Sequence, residues 1–235
     1  MKIKCFFLFI ITFYLVTETH AQNLPVGYIT QFQEDFSKPS TALKAFEFSD
    51  SATWKTGHEG KNYFLQFSGK NSDTLKTICL QDLAVLNGYL FSDFIFEANV
   101  KIPRKEIISG KNICFFLGLK DTTHYYAIQL STIPGDTTQQ IFVVNNGIKK
   151  ILTGKKNGEI NWETGQWHKI KIIRNILAKS IIVYFDNMHI PVMEAKDRTL
   201  IMGYTGFGTS GIPFYIDNIK IWAPTSIEQK TVLFK

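Results

Sequence analysis

Short runs of alternating apolar and polar residues dominate the chain after its first two dozen positions. From Phe94 to Val100, apolar side chains occupy every second position, with glutamate and asparagine between them. Alternation of this kind places one set of side chains on each face of a β-strand. Turn signals such as Asn145-Asn146-Gly147 separate the runs, because asparagine and glycine tolerate the positive φ of a tight hairpin. Runs with helical spacing are scarce, so the pattern predicts an all-β fold of two packed antiparallel sheets.

The last long run contains a break in its alternation. Phe214 and Ile216 share one parity, whereas Ile219 and Ile221 share the other. If all four side chains face the core, one extra residue is inserted near Asp217-Asn218, which is the signature of a β-bulge. The alternative is a strand that is apolar on both faces and lies beneath a covering loop. We favour the bulge.

The start of the chain has the pattern of an export signal. Two early lysines precede an apolar run at 5–16, and Thr19 and Ala21 are small residues at the −3 and −1 positions of a cut before Gln22. Twelve helical residues extend about 18 Å, well short of the ~30 Å of a bilayer core. We therefore expect a cleaved signal peptide over 1–21, no membrane span, and a periplasmic or extracellular protein.

The rest of the chain shows no repeat or linker that would divide it. We expect a lead-in over 22–30, one sandwich domain over 31–222 and a tail over 223–235. The tail ends in an apolar run that either adds an edge strand or engages a partner.

Charge and cysteine content narrow the classes of partner. The formal net charge of +6 is spread thinly along the chain, whereas nucleic-acid binding calls for a basic stripe with exposed aromatic residues. We therefore expect no nucleic-acid partner. Cys79 and Cys114 can pair in an oxidising compartment, or Cys114 can be a buried thiol within its apolar run.

Several ordered motifs resemble one superfamily of sandwiches. They are Glu34-Asp35-Phe36, Phe94 to Val100, Gly118 to Leu130, Gly165 to Ile170, Ile182 to Asn187, Gly203 to Thr209 and Tyr215 to Trp222. In order and spacing they resemble the concanavalin A-like jelly-roll superfamily, in the branch with laminin G-like domains and 3-keto-disaccharide hydrolases. The resemblance implies a two-sheet jelly roll, a concave face that often carries sugars, and in some members a structural calcium ion.

One catalytic signature of that superfamily is missing. Glucanases of glycoside hydrolase family 16 carry Glu-x-Asp-x-x-Glu, whose alternate carboxylates share one face of a strand. The nearest strand here, Phe96-Glu97-Ala98-Asn99, offers one carboxylate and one amide. This departure counts against a retaining glucanase.

Candidate ligand-binding residues come from the polar faces of two predicted strands. Glu97 and Asn99 lie opposite the apolar stripe of their strand and form either the floor of a sugar site or an ordinary solvated face. Tyr125 and Gln129 share parity, so both can point into one cleft, with His124 beside them; the alternative is aromatic packing on a neighbouring loop.

Two tryptophans and two aspartates complete the candidates. Trp162 in a polar loop and Trp54 near the start of the domain are predicted stacking platforms at the rim, whereas Trp167 is predicted to anchor the core. Asp35 and Asp217 lie near the two ends of the domain, where neighbouring strands of many sandwiches meet. They are candidate ligands of a structural calcium ion, with backbone carbonyls completing the shell; the alternative is that Asp217 hydrogen-bonds neighbouring loop amides at the bulge.

These patterns leave three functions open. The first is an exported carbohydrate-binding protein, favoured by the resemblance and the missing carboxylate pair. The second is an oligosaccharide hydrolase similar to the 3-keto-disaccharide hydrolases. The third is a laminin G-like adhesive module with protein partners. Whether the protein is an enzyme stays open at this point.

Overall fold

The structure, a computed structural model, describes residues 24–69, 80, 82–103, 112–131, 139–156, 158 and 160–234. The predicted signal peptide and Cys79 lie outside these residues. Within them most residues belong to β-strands, and the helical pieces include the short helix α1 (Pro39–Ala42) and two 3₁₀ turns at Leu43–Ala45 and Ser51–Thr53. None of the described helices has the length and apolarity needed to cross a membrane.

Two large antiparallel sheets form the sandwich, as predicted. The nine-stranded sheet contains β1 (Ile29–Glu34), β3 (Trp54–Glu59), β4 (Asn62–Phe67), β7 (Phe94–Lys101), β12 (Thr153–Lys156), β13 (Trp167–Asn175), β14 (Ser180–Phe185), β15 (Met193–Lys196) and β17 (Phe214–Ala223). The seven-stranded sheet contains β2 (Phe46–Phe48), β5 (Asp82–Leu86), β8 (Asn112–Asp121), β9 (His124–Ser131), β10 (Gln140–Asn145), β11 (Ile148–Ile151) and β16 (Tyr204–Thr209). A small third sheet pairs β6 (Gly88–Leu90) with β18 (Ile227–Gln229).

Strand order places β7 near the middle of the nine-stranded sheet. The order is β12-β15-β14-β13-β7-β17-β4-β3, and β1 pairs with the second half of β17. In the other sheet the order is β11-β10-β9-β8-β16-β5-β2. The inner faces of β7 and β9 meet in the main core, where Phe96 and Ala98 belong to the same apolar cluster as Tyr126 and Ile128.

The predicted bulge in β17 is confirmed. The pairing of β17 with β7 shifts register between Asp217 and Lys220, and Asn218 has a φ of 51°. The four apolar residues on either side of the shift are at most 1% exposed and belong to the main core; they are Phe214, Ile216, Ile219 and Ile221. The inserted residue lets both halves of the strand direct their apolar side chains inward.

The outer face of the seven-stranded sheet carries a second apolar cluster. Phe116, Tyr125 and Phe142 lie there and are at most 6% exposed. Two residues of the C-terminal tail, Leu233 and Phe234, pack against this cluster. The tail therefore forms a strand at 227–229 and then continues onto the outer face of the sheet.

Candidate functional site

The outer face of the nine-stranded sheet presents side chains from three central strands in transverse rows. Alternation along β7 directs Glu97, Asn99 and Lys101 to this face, away from the core. Lys101 is flanked across the strands by Tyr215 and Trp167. Cross-strand neighbours on one face lie close enough for their side chains to interact, so each row forms a continuous surface.

Three aromatic rings form a compact group on this face. The Phe64 ring stacks on the Tyr215 ring, with centroids 4.4 Å apart and an angle of 17° between planes. Trp167 makes an edge contact with Phe64 at 5.6 Å. Phe64 is 2% exposed, whereas Trp167 and Tyr215 are half-buried. We call Phe64, Trp167 and Tyr215 the aromatic cluster.

A glycine makes room for this cluster on the neighbouring strand. A Cβ at Gly57 would lie 2.7 Å from Phe64 Cε2 and 2.5 Å from Gln66 Oε1. The Phe64 ring thus lies directly over the backbone of β3 at Gly57.

Polar groups border the aromatic cluster. Lys101 Nζ lies 5.6 Å from the Trp167 ring centroid and donates to both carboxylate oxygens of Glu59, at 2.7 and 2.8 Å. Gln66 is the cross-strand neighbour of Tyr215, and half-buried Asn99 lies one row away. The surface offers rings for the apolar faces of a ligand and amide and charged groups for its hydroxyls.

Glu97 is buried among positive charges on this face. Its Oε2 lies 2.8 Å from Lys169 Nζ, and its Oε1 lies 3.6 Å from Lys171 Nζ. The residue is 7% exposed. Two ammonium groups thus compensate the carboxylate that the sequence offered as the floor of a sugar site.

Tyr125 and Gln129 share a face, as their parity predicts, but it is the outer face of the other sheet. They are 3% and 5% exposed. Gln129 Oε1 accepts a hydrogen bond of 3.4 Å from Gln140 Nε2. Because the whole sandwich separates them from Glu97 and Asn99, these four residues do not line one cleft.

His124 connects two turns at the end of the seven-stranded sheet. Its Nδ1 lies 3.0 Å from Asp121 Oδ1, and its Nε2 lies 2.9 Å from Asn146 Oδ1. Hydrogen bonds to Asp121 and Asn146 raise the pKa of His124, while the Thr123 hydroxyl and other donors lower the pKa of Asp121 to about 2. The histidine therefore clips the β8–β9 turn to the β10–β11 turn.

Both predicted platform tryptophans pack against the core. Trp54 is 3% exposed and lies among aromatic rings such as Phe48 and Phe67, so its placement at the rim is wrong. Trp162 makes an edge contact with the Phe185 ring at 4.8 Å, and its indole nitrogen donates to the Ser131 carbonyl at 3.0 Å. Trp162 thus ties the two sheets together, and because it is half-buried its role as a stacking platform stays a prediction.

Trp167 was predicted to lie in the core, and that prediction is wrong. The sequence interpretation assigned it to the core, yet it lies on the outer face, within the aromatic cluster. The sequence of its strand predicts this position, because Ile170 and Ile172 face the core and Trp167, at an odd-numbered position, has the opposite parity.

The charges of the two predicted calcium ligands, Asp35 and Asp217, interact near the bulge. Burial, followed by the charges of Asp35 and Glu34, raises the pKa of Asp217 to about 6. Asp217 Oδ1 accepts from the Asn218 backbone nitrogen at 2.6 Å, and Oδ2 accepts from its side-chain amide at 2.8 Å. Across the described residues, no three acidic, histidine or cysteine side chains converge to hold a metal ion. Calcium binding therefore stays a prediction.

The structure describes only one of the two cysteines that were predicted to pair. Cys114 is disulfide-bonded and lies on the outer face of the seven-stranded sheet. Its predicted partner, Cys79, is outside the described residues, so that pairing stays a prediction.

Comparisons with solved structures find the same fold in proteins of low sequence identity. An endo-β-1,3(4)-glucanase of family GH16, SCLam, is 8% identical with a TM-score of 0.56, over 86% of this chain and 93% of that one. Domain 4 of AbnA, a GH43 extracellular arabinanase from Geobacillus stearothermophilus solved with arabinotriose, is 10% identical with a TM-score of 0.52, over 85% and 94%.

A third structure extends the comparison to a binding module. The carbohydrate-binding module CBM66 from Bacillus subtilis is 12% identical with a TM-score of 0.50, over 76% of this chain and 96% of that one. No protein-family model and no curated protein matches the chain. The likenesses show a β-sandwich fold shared with glucanases and carbohydrate-binding modules, and they show the fold alone.

Proposed function

We propose that the protein binds carbohydrate outside the cytoplasm, through the aromatic cluster on the outer face of the nine-stranded sheet. The observation that carries the proposal is the pair of half-buried rings, Trp167 and Tyr215, which both contact the buried ring of Phe64. The C–H faces of a sugar ring stack on aromatic rings, and its hydroxyls bond to amide and charged groups like those at the border of the cluster. Neither half-buried ring belongs to the main core.

The fold and the predicted leader are both consistent with carbohydrate binding outside the cytoplasm. The sandwich is shared with a carbohydrate-binding module and a glucanase, although a shared fold leaves the site to be argued from its own residues. The leader predicted over 1–21 would deliver the protein to a compartment where polysaccharides occur.

Affinity electrophoresis and calorimetry with a panel of soluble polysaccharides test the proposal. Trp167→Ala and Tyr215→Ala should each weaken binding by about tenfold, since loss of a buried aromatic contact costs on the order of 1 to 2 kcal/mol. Tyr28→Ala is the matched control, because Tyr28 is a half-buried tyrosine that precedes β1 and lies outside the cluster. Equal affinity of all three variants and the original protein would assign binding elsewhere, and no retention on any polysaccharide would refute the proposal.

The hydrolase alternative has less support from the described residues. It would use Glu97, Gln129 or a loop aspartate, but Glu97 is compensated by lysines and Gln129 is buried on the opposite face. A general acid needs a shifted pKa and access to its substrate. Incubation with 3-keto-glucosides, with and without calcium, tests this alternative directly through released sugar.

A further inference from the structure

Three lysines surround Glu97 on the outer face of the nine-stranded sheet. Lys171 and Lys220 are its cross-strand neighbours on β13 and β17, and Lys169 reaches it from the adjacent row. Neighbouring strands lie about 4.8 Å apart, so the row from β17 to β13 spans only about 10 Å. We call Lys169, Lys171 and Lys220 the basic cluster.

The positive charge of the basic cluster exceeds the negative charge enclosed by it. Glu97 is shared between Lys169 and Lys171. Among the described residues Lys220 has no acidic partner, and its Nζ lies 5.6 Å from the Trp222 ring centroid. The Lys169 side chain is 46% exposed. The cluster therefore presents uncompensated ammonium charge to solvent.

One acidic residue, Asp217, lies in the row between the basic and aromatic clusters, opposite Asn99. It is 2% exposed, and both its carboxylate oxygens accept hydrogen bonds from Asn218. Its charge is thus turned toward the bulge, and the solvent-facing groups of the row are Asn99 and Lys169.

The basic cluster lies in line with the aromatic cluster along the strands. Lys101, between Trp167 and Tyr215, is two residues from Asn99 and four from Glu97 on β7. At about 3.4 Å per residue, Lys169 lies about 7 Å and Lys220 about 14 Å along the strand from the aromatic row. An extended chain of sugars that stacks one ring on the aromatic cluster would pass over these lysines.

We propose that this face binds an acidic polysaccharide, whose uronic acid carboxylates pair with the basic cluster while a neighbouring sugar ring stacks on a half-buried ring of the aromatic cluster. The assignment rests on the proposed function and names the ligand class of the same face. Ammonium–carboxylate contacts confer preference for acidic over neutral glycans and make the affinity depend on salt.

A matched pair of ligands isolates the contribution of the ligand's carboxylates to the affinity. Polygalacturonate and its highly methyl-esterified form share one backbone, and only the first carries free carboxylates. Calorimetry on the full mature chain should show binding to polygalacturonate that weakens severalfold on esterification and again on raising the salt concentration. Dextran and dextran sulfate form a second pair that separates carboxylate recognition from general attraction to anions.

Three variants test the lysines. Lys220→Gln should weaken binding to polygalacturonate by about two- to fivefold, the range expected for an exposed ion pair. Glu97→Gln should strengthen it by a similar factor, because it removes the one carboxylate within the basic cluster. Lys120→Gln, at an exposed lysine on β8 of the seven-stranded sheet, should leave the affinity unchanged.

The outcomes separate this assignment from the proposed function. Equal binding of esterified and free polygalacturonate, with no effect of Lys220→Gln, would overturn the acidic ligand and leave carbohydrate binding intact. Binding to dextran sulfate without binding to polygalacturonate, unaffected by Trp167→Ala, would mean simple charge attraction and would also overturn it. Retention on no polysaccharide at all would refute the proposed function itself.

Discussion

Replacing Asp217 with asparagine tests the electrostatics at the bulge of β17. Asp217 is 2% exposed, and burial together with Asp35 and Glu34 raises its pKa from 3.8 to about 6. The folded protein thus holds a proton on this carboxyl group over a pH range in which the unfolded chain has already released it.

The direction of the pH dependence follows from this shift. A carboxyl group whose pKa is higher in the folded state adds stability that is fully present below about pH 4 and is lost as the pH rises through about 6. A shift of about 2 units corresponds to about 3 kcal/mol of unfolding free energy, at 1.36 kcal/mol per unit. Asparagine carries no charge at either pH, so the variant lacks this loss.

Urea denaturation of the original protein and Asp217→Asn between pH 4 and pH 8 measures the effect. The variant's unfolding free energy minus that of the original should rise by about 3 kcal/mol over this range. Altered hydrogen bonds to Asn218 add a constant offset, whereas the rise reports the charge. Equal pH dependence of the two proteins, or a difference that falls with pH, would refute the reasoning.

The same two proteins can be compared with and without calcium. If the ion binds beside Asp35 and Asp217, millimolar calcium at pH 7 should raise the melting temperature of the original protein, since a ligand specific to the folded state stabilises it. Asp217→Asn should lose most of that gain. A melting temperature unchanged by calcium would count against the predicted site.

Three further changes have defined outcomes. Gly118→Ala should lower the unfolding free energy by about 1 to 3 kcal/mol in urea denaturation, because φ is +58° and the new Cβ would lie 2.8 Å from Arg174 Nη1. Deleting 233–235 should increase binding of a hydrophobic dye and cost about 2 kcal/mol, as two partly buried apolar side chains are lost from the second apolar cluster. Asp121→Asn should move the pKa of His124 down toward its ordinary value, as followed by NMR titration.

Much of the fold could be predicted because alternation is a local property of each strand. The bulge at Asp217-Asn218 could be predicted because the four apolar residues around it must all reach the core, and an inserted residue allows this. The shared parity of Tyr125 and Gln129 was equally local. Which outer face they occupy depends on strand order, and that is fixed by contacts far apart in the sequence.

The candidate site was less predictable for the same reason. Lys169 and Lys171 come from β13 and Lys220 from β17, and only the register of these strands with β7 brings all three to Glu97. Trp54 shows a different limit, because its strand has no clear apolar alternation to set which parity faces inward. Trp167 had such a signal, because the inward parity of Ile170 and Ile172 places it on the outer face.

The two outer faces of the sandwich differ in a way that bears on function. On the seven-stranded sheet, the residues of the second apolar cluster are buried and the tail contributes to their cover. On the nine-stranded sheet, the aromatic cluster keeps two rings half-buried and bordered by polar groups. Rings needed only for the core would face inward, as the β7 phenylalanines do, so Trp167 and Tyr215 require another explanation. Contact with a ligand accounts for their outward position, and the comparison of Trp167→Ala with Tyr28→Ala decides whether this explanation is correct.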